Sequence, residues 1–148
     1  MRFVLIFALT TLATVPPALA AGDKLLDTQE IAALQTRAAQ AAPKEQCFLY
    51  AELVRSMTEL AGQQLNAGDK EKASMTLKAV QDYVQKIHMD VTDNAKKLKN
   101  AEMTMQRAAY RLKELMLGAS LDDRPSLEAT LKQLDQVHSE MMMEVFKH

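Results

Sequence analysis

The chain is short of several residue types that often stabilise a protein of 148 residues. It has one cysteine, Cys47, so no disulfide can form within the chain. It has no tryptophan and few other aromatic residues, whereas methionine occurs ten times. Because methionine is flexible and fills irregular gaps, this composition predicts a core of adaptable side chains that is held together by packing alone.

Charge of a single sign is also missing. Lysine and arginine total 18, aspartate and glutamate total 19, and the two signs are mixed along the chain. Proteins that bind nucleic acid usually present a basic tract to the phosphates, so nucleic acid is not expected as a partner. Lys96, Lys97 and Lys99 form one small basic cluster, and such a cluster is typical of a solvent-facing helix surface.

One apolar run stands out, and it lies within residues 1–20. Residues 3–15 are an apolar run interrupted by three threonines, and they follow a single positive charge. Two prolines come next, and Ala-Leu-Ala at 18–20 has the small-x-small pattern of a cleavage site. A membrane span needs about 20 apolar residues, so the run is short for a span, although a signal anchor is the alternative. We expect a signal peptide that is cleaved after Ala20. The mature chain, 21–148, would be a single periplasmic or secreted domain without a membrane span.

The clearest periodic pattern occupies residues 69–118, which contain no proline and no glycine before Gly118. Apolar residues recur there in two rows that are seven apart and offset by three, as at the a and d positions of a heptad repeat. This heptad seam predicts one helix of about 50 residues. The first row is Leu77, Val84, Val91, Leu98, Met105 and Leu112, and the second is Val80, Ile87, Asn94, Ala101, Ala108 and Leu115.

These patterns predict an all-α protein in which antiparallel helical hairpins share one long central helix. Helices are expected at about 28–41, 43–66, 69–118 and 123–146, because capping residues, Pro43 and Gly68 mark their ends. Residues 90–94 form helix poorly, and a break there would give a compact four-helix bundle instead. The unbroken heptad phase favours a continuous helix. A thin rod of this kind would expose apolar surface and favour a homodimer.

Methionines near the C-terminus suggest a soft-metal site. Met141 and Met142 stand three and four positions after His138, so all three can share one helix face. Thioether sulfur and imidazole suit Cu(I), and Met105 from the central helix could complete the site. The alternative interpretation is that these methionines fill gaps in an alanine-rich core and that His138 is a polar residue tolerated in a helix seam.

Two further residues are candidates for roles in assembly. Cys47 could form a disulfide between two copies of the chain. Asn94 is the polar position in the heptad seam, where a buried asparagine can specify the register and the oligomeric state. Asn94 could equally mark a local break in the helix.

The sequence contains no catalytic constellation, so we expect a non-enzymatic helical binding or scaffold protein. It would hold a protein partner, or a second copy, along the heptad seam. In its leader, long helices and methionines, the chain resembles small periplasmic chaperones and stress sensors of the Spy/CpxP type. That resemblance implies a chaperone-like or stress-related role. Their repeated Leu-Thr-x-x-Gln motif has no match here beyond Leu26-Asp27-Thr28-Gln29. A Cu(I)-binding protein is the alternative function.

Overall fold

The computed structural model of this chain describes residues 27–89 and 95–147. Every regular element in these two ranges is a helix, so the all-α class is confirmed. The signal peptide predicted at 1–20 lies outside the described residues, as do Asn94 and residues 90–94, where a helix break was the alternative to a continuous helix. The helices are α1 (Thr28–Gln40), α2 (Pro43–Asn66), α3 (Lys70–Met89), α4 (Ala95–Gly118) and α5 (Arg124–Val145).

The helix boundaries follow from local chemistry. The Asp27 carboxylate accepts hydrogen bonds from the backbone N–H groups of Gln29 and Glu30, and the Glu30 carboxylate accepts one from Asp27 N–H at 3.0 Å. This capping box satisfies donors that the first turn of α1 leaves unpaired. Pro43 begins α2, where its missing N–H costs no hydrogen bond. Gly68, with a φ of 80°, allows the chain to turn tightly between α2 and α3.

Two antiparallel hairpins form the frame of the molecule. In the first, α2 and α3 run in opposite directions, and Thr76 Oγ1 donates to Gln64 Oε1 at 2.7 Å near the turn. Farther from that turn, the rings of Tyr50 and Tyr83 lie 5.7 Å apart. In the second hairpin, α4 and α5 are antiparallel, as predicted, and His138 lies against Glu102.

The two hairpins pack side by side with α2 parallel to α4 and α3 parallel to α5. Lys97 contacts Glu45 and Arg111 contacts Glu59, so residue numbers rise together along α2 and α4. Within the described ranges, α2 does not contact α5 and α3 does not contact α4. The four helices therefore form a ring in the order α2, α3, α5, α4, with α3 diagonal to α4.

This arrangement is the compact four-helix bundle, and it corrects the prediction of one uninterrupted helix over 69–118. Because α2 is antiparallel to α3 and parallel to α4, helices α3 and α4 run in opposite directions. A single straight helix keeps one direction. The dimerisation expected of a thin rod loses its basis, because the bundle buries the apolar surface that a rod would expose.

Helix α2 lies at the centre of this fold, since it packs against α1, α3 and α4. Its residues Leu53 and Val54 are fully buried, and among the described helices α1 packs against α2 alone, on the outside of the ring. The apolar stripe of α2 is wide enough to pack against all three of these helices. The core is made of leucine, valine, alanine and methionine, including Leu77, Val84, Leu98, Met105, Leu112, Leu127, Leu134 and Met141.

Candidate functional site

The heptad seam is enclosed by the bundle. Every described position of its two rows is buried except Leu115, which is half-buried. The prediction that these residues face a core is therefore confirmed for the described ranges. That core is the chain's own, because α2 and α5 cover the seam. A partner that binds the closed bundle must use another surface.

The residues predicted to bind Cu(I) divide between the interior and the surface. Met105 and Met141 belong to the buried core, whereas Met142 is 39% exposed. His138 is half-buried, and its Nε2 lies 2.6 Å from Glu102 Oε1. A metal ion at Nε2 would have to displace this carboxylate. The described residues contain no cluster of three or more histidine, cysteine, aspartate or glutamate side chains suited to a metal ion. Binding of Cu(I) through methionine stays a prediction.

Cys47 lies in the first turns of α2 and is 2% exposed. A disulfide between two copies would require its sulfur to reach the surface, and the packed bundle does not allow this. The start of α2 would first have to separate from its neighbours. The intermolecular disulfide stays a prediction, now with this structural requirement attached.

A ladder of polar pairs joins the parallel helices α2 and α4. Each pair takes a glutamate from α2 and a donor from α4, and successive pairs are seven residues apart on both helices. Because the separation in sequence is constant, all three pairs favour the same parallel register. We call this set the polar ladder. Its members are Glu45 with Lys97 at 2.9 Å, Glu52 with Thr104 at 3.4 Å, and Glu59 with Arg111 at 2.9 Å.

Arg111 of the polar ladder pairs with two carboxylates. Its Nε donates to Glu59 and its Nη1 donates to Glu114 at 3.2 Å. Partial burial by itself would lower the pKa of Arg111, but the hydrogen bonds and charges of the two carboxylates outweigh it and raise the pKa. At this end of the bundle, α2 and α4 are therefore joined by an ion pair between Glu59 and a protonated Arg111.

The other end of the polar ladder opens into a surface cleft of about 470 Å³. Helices α1 and α4 form its walls without contacting each other, and α2 lies between them as the floor. The turn after α1 creates this geometry, because Gln46 Nε2 donates to Ala38 O at 3.1 Å and holds the start of α2 against the end of α1. We call this site the α1/α2/α4 cleft. It is lined by Arg37, Gln40, Ala41, Glu45, Phe48, Leu49 and Lys97.

The cleft has an apolar floor and a positively charged rim. Phe48 and Ala41 pack on the core and remain partly accessible, and Leu49 lies beneath them. At the rim, the hydrogen bond and charge of Lys97 lower the pKa of Glu45, and the charges of Lys44 and Arg37 lower it further. The positive charges of Arg37, Lys44 and Lys97 thus all act on the Glu45 carboxylate, and two of these cations, Arg37 and Lys97, line the cleft.

Sequence reasoning did not identify this cleft. It placed Lys97 on a solvent-facing surface, whereas Lys97 is half-buried and paired with Glu45. One signal was available, since Glu45, Glu52 and Glu59 recur every seven residues on α2. That row indicates a polar boundary beside the apolar stripe. It does not identify which helix supplies the opposite charges, because α4 is 52 residues away in sequence.

The outer face of α4 carries a second accessible apolar feature. Met103, Tyr110 and Leu117 are 41%, 66% and 85% exposed, and they stand seven residues apart.

In the described part of the chain, no helix is both long and apolar enough to cross a membrane. Comparison of the chain with protein-family models, curated proteins and solved structures finds no match.

Proposed function

We propose that this protein is a non-enzymatic helical binding protein and that the α1/α2/α4 cleft is its ligand site. The observation that carries this proposal is the combination of a concave apolar floor with a charged rim. A volume of about 470 Å³ falls within the range of about 300–1,000 Å³ that is typical of small-molecule sites. The charged side chains at the rim provide polar contacts that can orient a ligand.

Because the bundle buries the heptad seam, a ligand or partner has to bind at another surface. Chaperone-like binding along the heptad seam would require α2 or α5 to leave the core, which would expose residues such as Leu98 and Leu112. Each such side chain contributes about 1.5–3 kcal/mol of burial, so opening the seam is costly. The cleft needs no such opening, and it therefore supports the binding function better than the seam does.

A tryptophan reporter tests this proposal, because the chain has no natural tryptophan. Gln40 is exposed and lines the cleft, so Gln40→Trp places a fluorophore at the rim. We expect a saturable fluorescence change when neutral, anionic or cationic apolar compounds are titrated. The matched control is Gln136→Trp on the exposed face of α5, which should not respond. If no compound changes the signal of Gln40→Trp, the proposed site is wrong.

The place of action is part of the same proposal. We infer export across a membrane from the apolar run and the Ala-Leu-Ala sequence within residues 1–20. Expression of the whole chain in a bacterium, followed by fractionation and N-terminal sequencing, tests this inference. The expected product lies outside the cytoplasm and begins at Ala21. A cytoplasmic product that still begins at Met1 would contradict the inference.

Self-association would use the outer face of α4 rather than the buried seam. Three apolar side chains at a seven-residue spacing match the repeat with which helices pack against one another. The mass of the protein in solution tests this part of the proposal. A dimer that Tyr110→Lys converts to a monomer would support it. A monomer at all concentrations, or a dimer that the substitution leaves intact, would contradict it.

A further inference from the structure

The proposed binding function leaves the ligand unnamed, and the cleft has two chemically distinct halves that restrict it. Resting on that function, we propose that the α1/α2/α4 cleft binds a free single-chain amphiphile with an anionic head group, such as a medium-chain carboxylate. The apolar chain would lie on Phe48, Leu49 and Ala41. The head group would lie at the rim beside Arg37 and Lys97.

The floor of the cleft selects for an apolar chain. Phe48 and Ala41 are incompletely covered by the protein, and Leu49 extends the same surface into the core. Covering this surface removes apolar area from water, which is the favourable term in binding an alkyl chain. The floor offers no polar side chain, because Gln40, Glu45 and the cations are at the edges. A strongly polar ligand such as a sugar would lose hydrogen bonds to water there.

The rim selects for negative charge. Arg37 has no hydrogen bond or ion pair within the part of the chain that the structure describes, so its guanidinium is available to a ligand. Lys97 is held by Glu45 at 2.9 Å on the opposite wall. Arg37, Lys44 and Lys97 all lower the pKa of Glu45, so their positive charges act at the rim where Glu45 lies. Among the residues that line the cleft, Arg37 and Lys97 are positive and Glu45 is negative. An anionic head group beside Arg37 would therefore gain a favourable charge interaction.

The shape of the cleft favours a free amphiphile over a membrane surface. Helices that bind a bilayer present a projecting apolar face with basic residues on either side. Here the apolar residues lie at the bottom of a cleft between α1 and α4, and the charges stand above them. A flat bilayer would meet the charged rim without reaching Phe48. A single chain can enter the cleft and contact both halves.

Calorimetric titration of the purified protein with three ten-carbon probes tests the inference. The probes are decanoate, decylammonium and decyl maltoside, each used below its micelle-forming concentration. We expect decanoate to bind most tightly. Arg37→Glu should weaken decanoate binding by about tenfold, because it reverses a charge beside the head group, and Arg37→Lys should retain most of it. The matched control is Arg107→Glu, which makes the same change of charge on the exposed face of α4.

The outcomes separate this inference from the proposed function. If decyl maltoside binds as tightly as decanoate and Arg37→Glu changes nothing, the cleft binds ligands but the preference for anions is wrong. If Arg37→Glu and Arg107→Glu weaken decanoate equally, the effect comes from net charge and the cleft is not the site. If no probe binds and Gln40→Trp reports no ligand, both proposals are wrong.

Discussion

Two pairs of helices run parallel in this bundle, and different chemistry joins each pair. Between α2 and α4, the polar ladder repeats every seven residues, and its charged side chains are partly exposed. Between α3 and α5, the central contacts are uncharged. Gln81 Nε2 donates to Thr130 Oγ1 at 2.8 Å, and Gln133 Nε2 donates to Gln81 O at 3.1 Å. Thr130 is fully buried, unlike the charged members of the ladder.

The difference shows two ways to specify the same parallel arrangement. Partly exposed charge pairs contribute little each, typically below about 1 kcal/mol, so the α2/α4 register depends on their repetition. A hydrogen bond to a fully buried hydroxyl, such as that of Thr130, is costly to break, so one such contact can specify the α3/α5 register. The ladder also ends beside the α1/α2/α4 cleft, and its last pair contributes to the rim.

The largest expected effect comes from the packing of α2 against α4 at Gly62. A Cβ atom at Gly62 would lie 3.0 Å from Leu115 Cδ2 and 3.5 Å from Arg111 Nη2, so a large side chain would force the helices apart. Gly62→Leu should lower the free energy of unfolding by about 1–3 kcal/mol through overpacking. Urea unfolding measures this change. Gly118→Leu is the matched control, because no atom lies within 4 Å of a Cβ there. Equal stability of the two variants would contradict the close packing.

The next effect tests the hydrogen bond between α3 and α5 at Thr130. Thr130→Val keeps the shape of the side chain but removes the acceptor for Gln81, and should cost about 1–2 kcal/mol of stability. Thr36→Val is the matched control. Both threonines donate to the carbonyl four residues earlier, but Thr36 is exposed on α1. Thermal unfolding should separate the two variants. A loss at Thr36 as large as that at Thr130 would show that the contact between helices contributes nothing.

A smaller effect is expected for one pair of the polar ladder. A double-mutant cycle with Arg111→Gln and Glu59→Gln should give a coupling energy of about 0.5–1 kcal/mol, because both side chains are about one quarter to one third exposed. The same cycle on Lys72 and Asp69, a more exposed pair at 2.9 Å, should give a smaller value. Equal coupling in the two cycles would mean that partial burial adds nothing to the ladder.

The smallest effect concerns pH. The hydrogen bond and charge of Lys97 lower the pKa of Glu45, so this carboxylate favours the folded state when it is ionised. That contribution is present above the unfolded pKa and is lost as the pH falls through the lowered pKa of the folded state. Glu45→Gln should therefore lose slightly less stability than the wild type between about pH 5 and pH 3. Glu128→Gln, an exposed position on α5, should follow the wild type.

Much of the local structure could be read from the sequence. The capping box at Asp27 and Glu30, the start of α2 at Pro43 and the turn at Gly68 are all as predicted, because each depends on a few neighbouring residues. The heptad seam correctly identified the buried face. The prediction of one uninterrupted helix was wrong, because α3 and α4 pack on the same core and keep the same heptad phase although they are separate helices.

The candidate site was less predictable. The antiparallel pairing of α4 with α5 was predicted, and it brings His138 against Glu102. The α1/α2/α4 cleft was not foreseen, because Arg37, Phe48 and Lys97 come from three helices. Their combination depends on how α1 and α4 lie against α2. Local patterns contain no information about that placement.

The sequence by itself determined the helices, most of their boundaries and the faces that are buried. These properties depend on capping, turn residues and periodicity, which act over fewer than about ten residues. Only the tertiary structure decided that α4 runs parallel to α2 and that the heptad seam closes on its own chain. Periodicity reports which face avoids water, but not the direction or identity of the helix that covers it. The cleft, with Phe48 on its floor and Arg37 at its rim, depends on how α1 and α4 are placed against α2 in the tertiary structure.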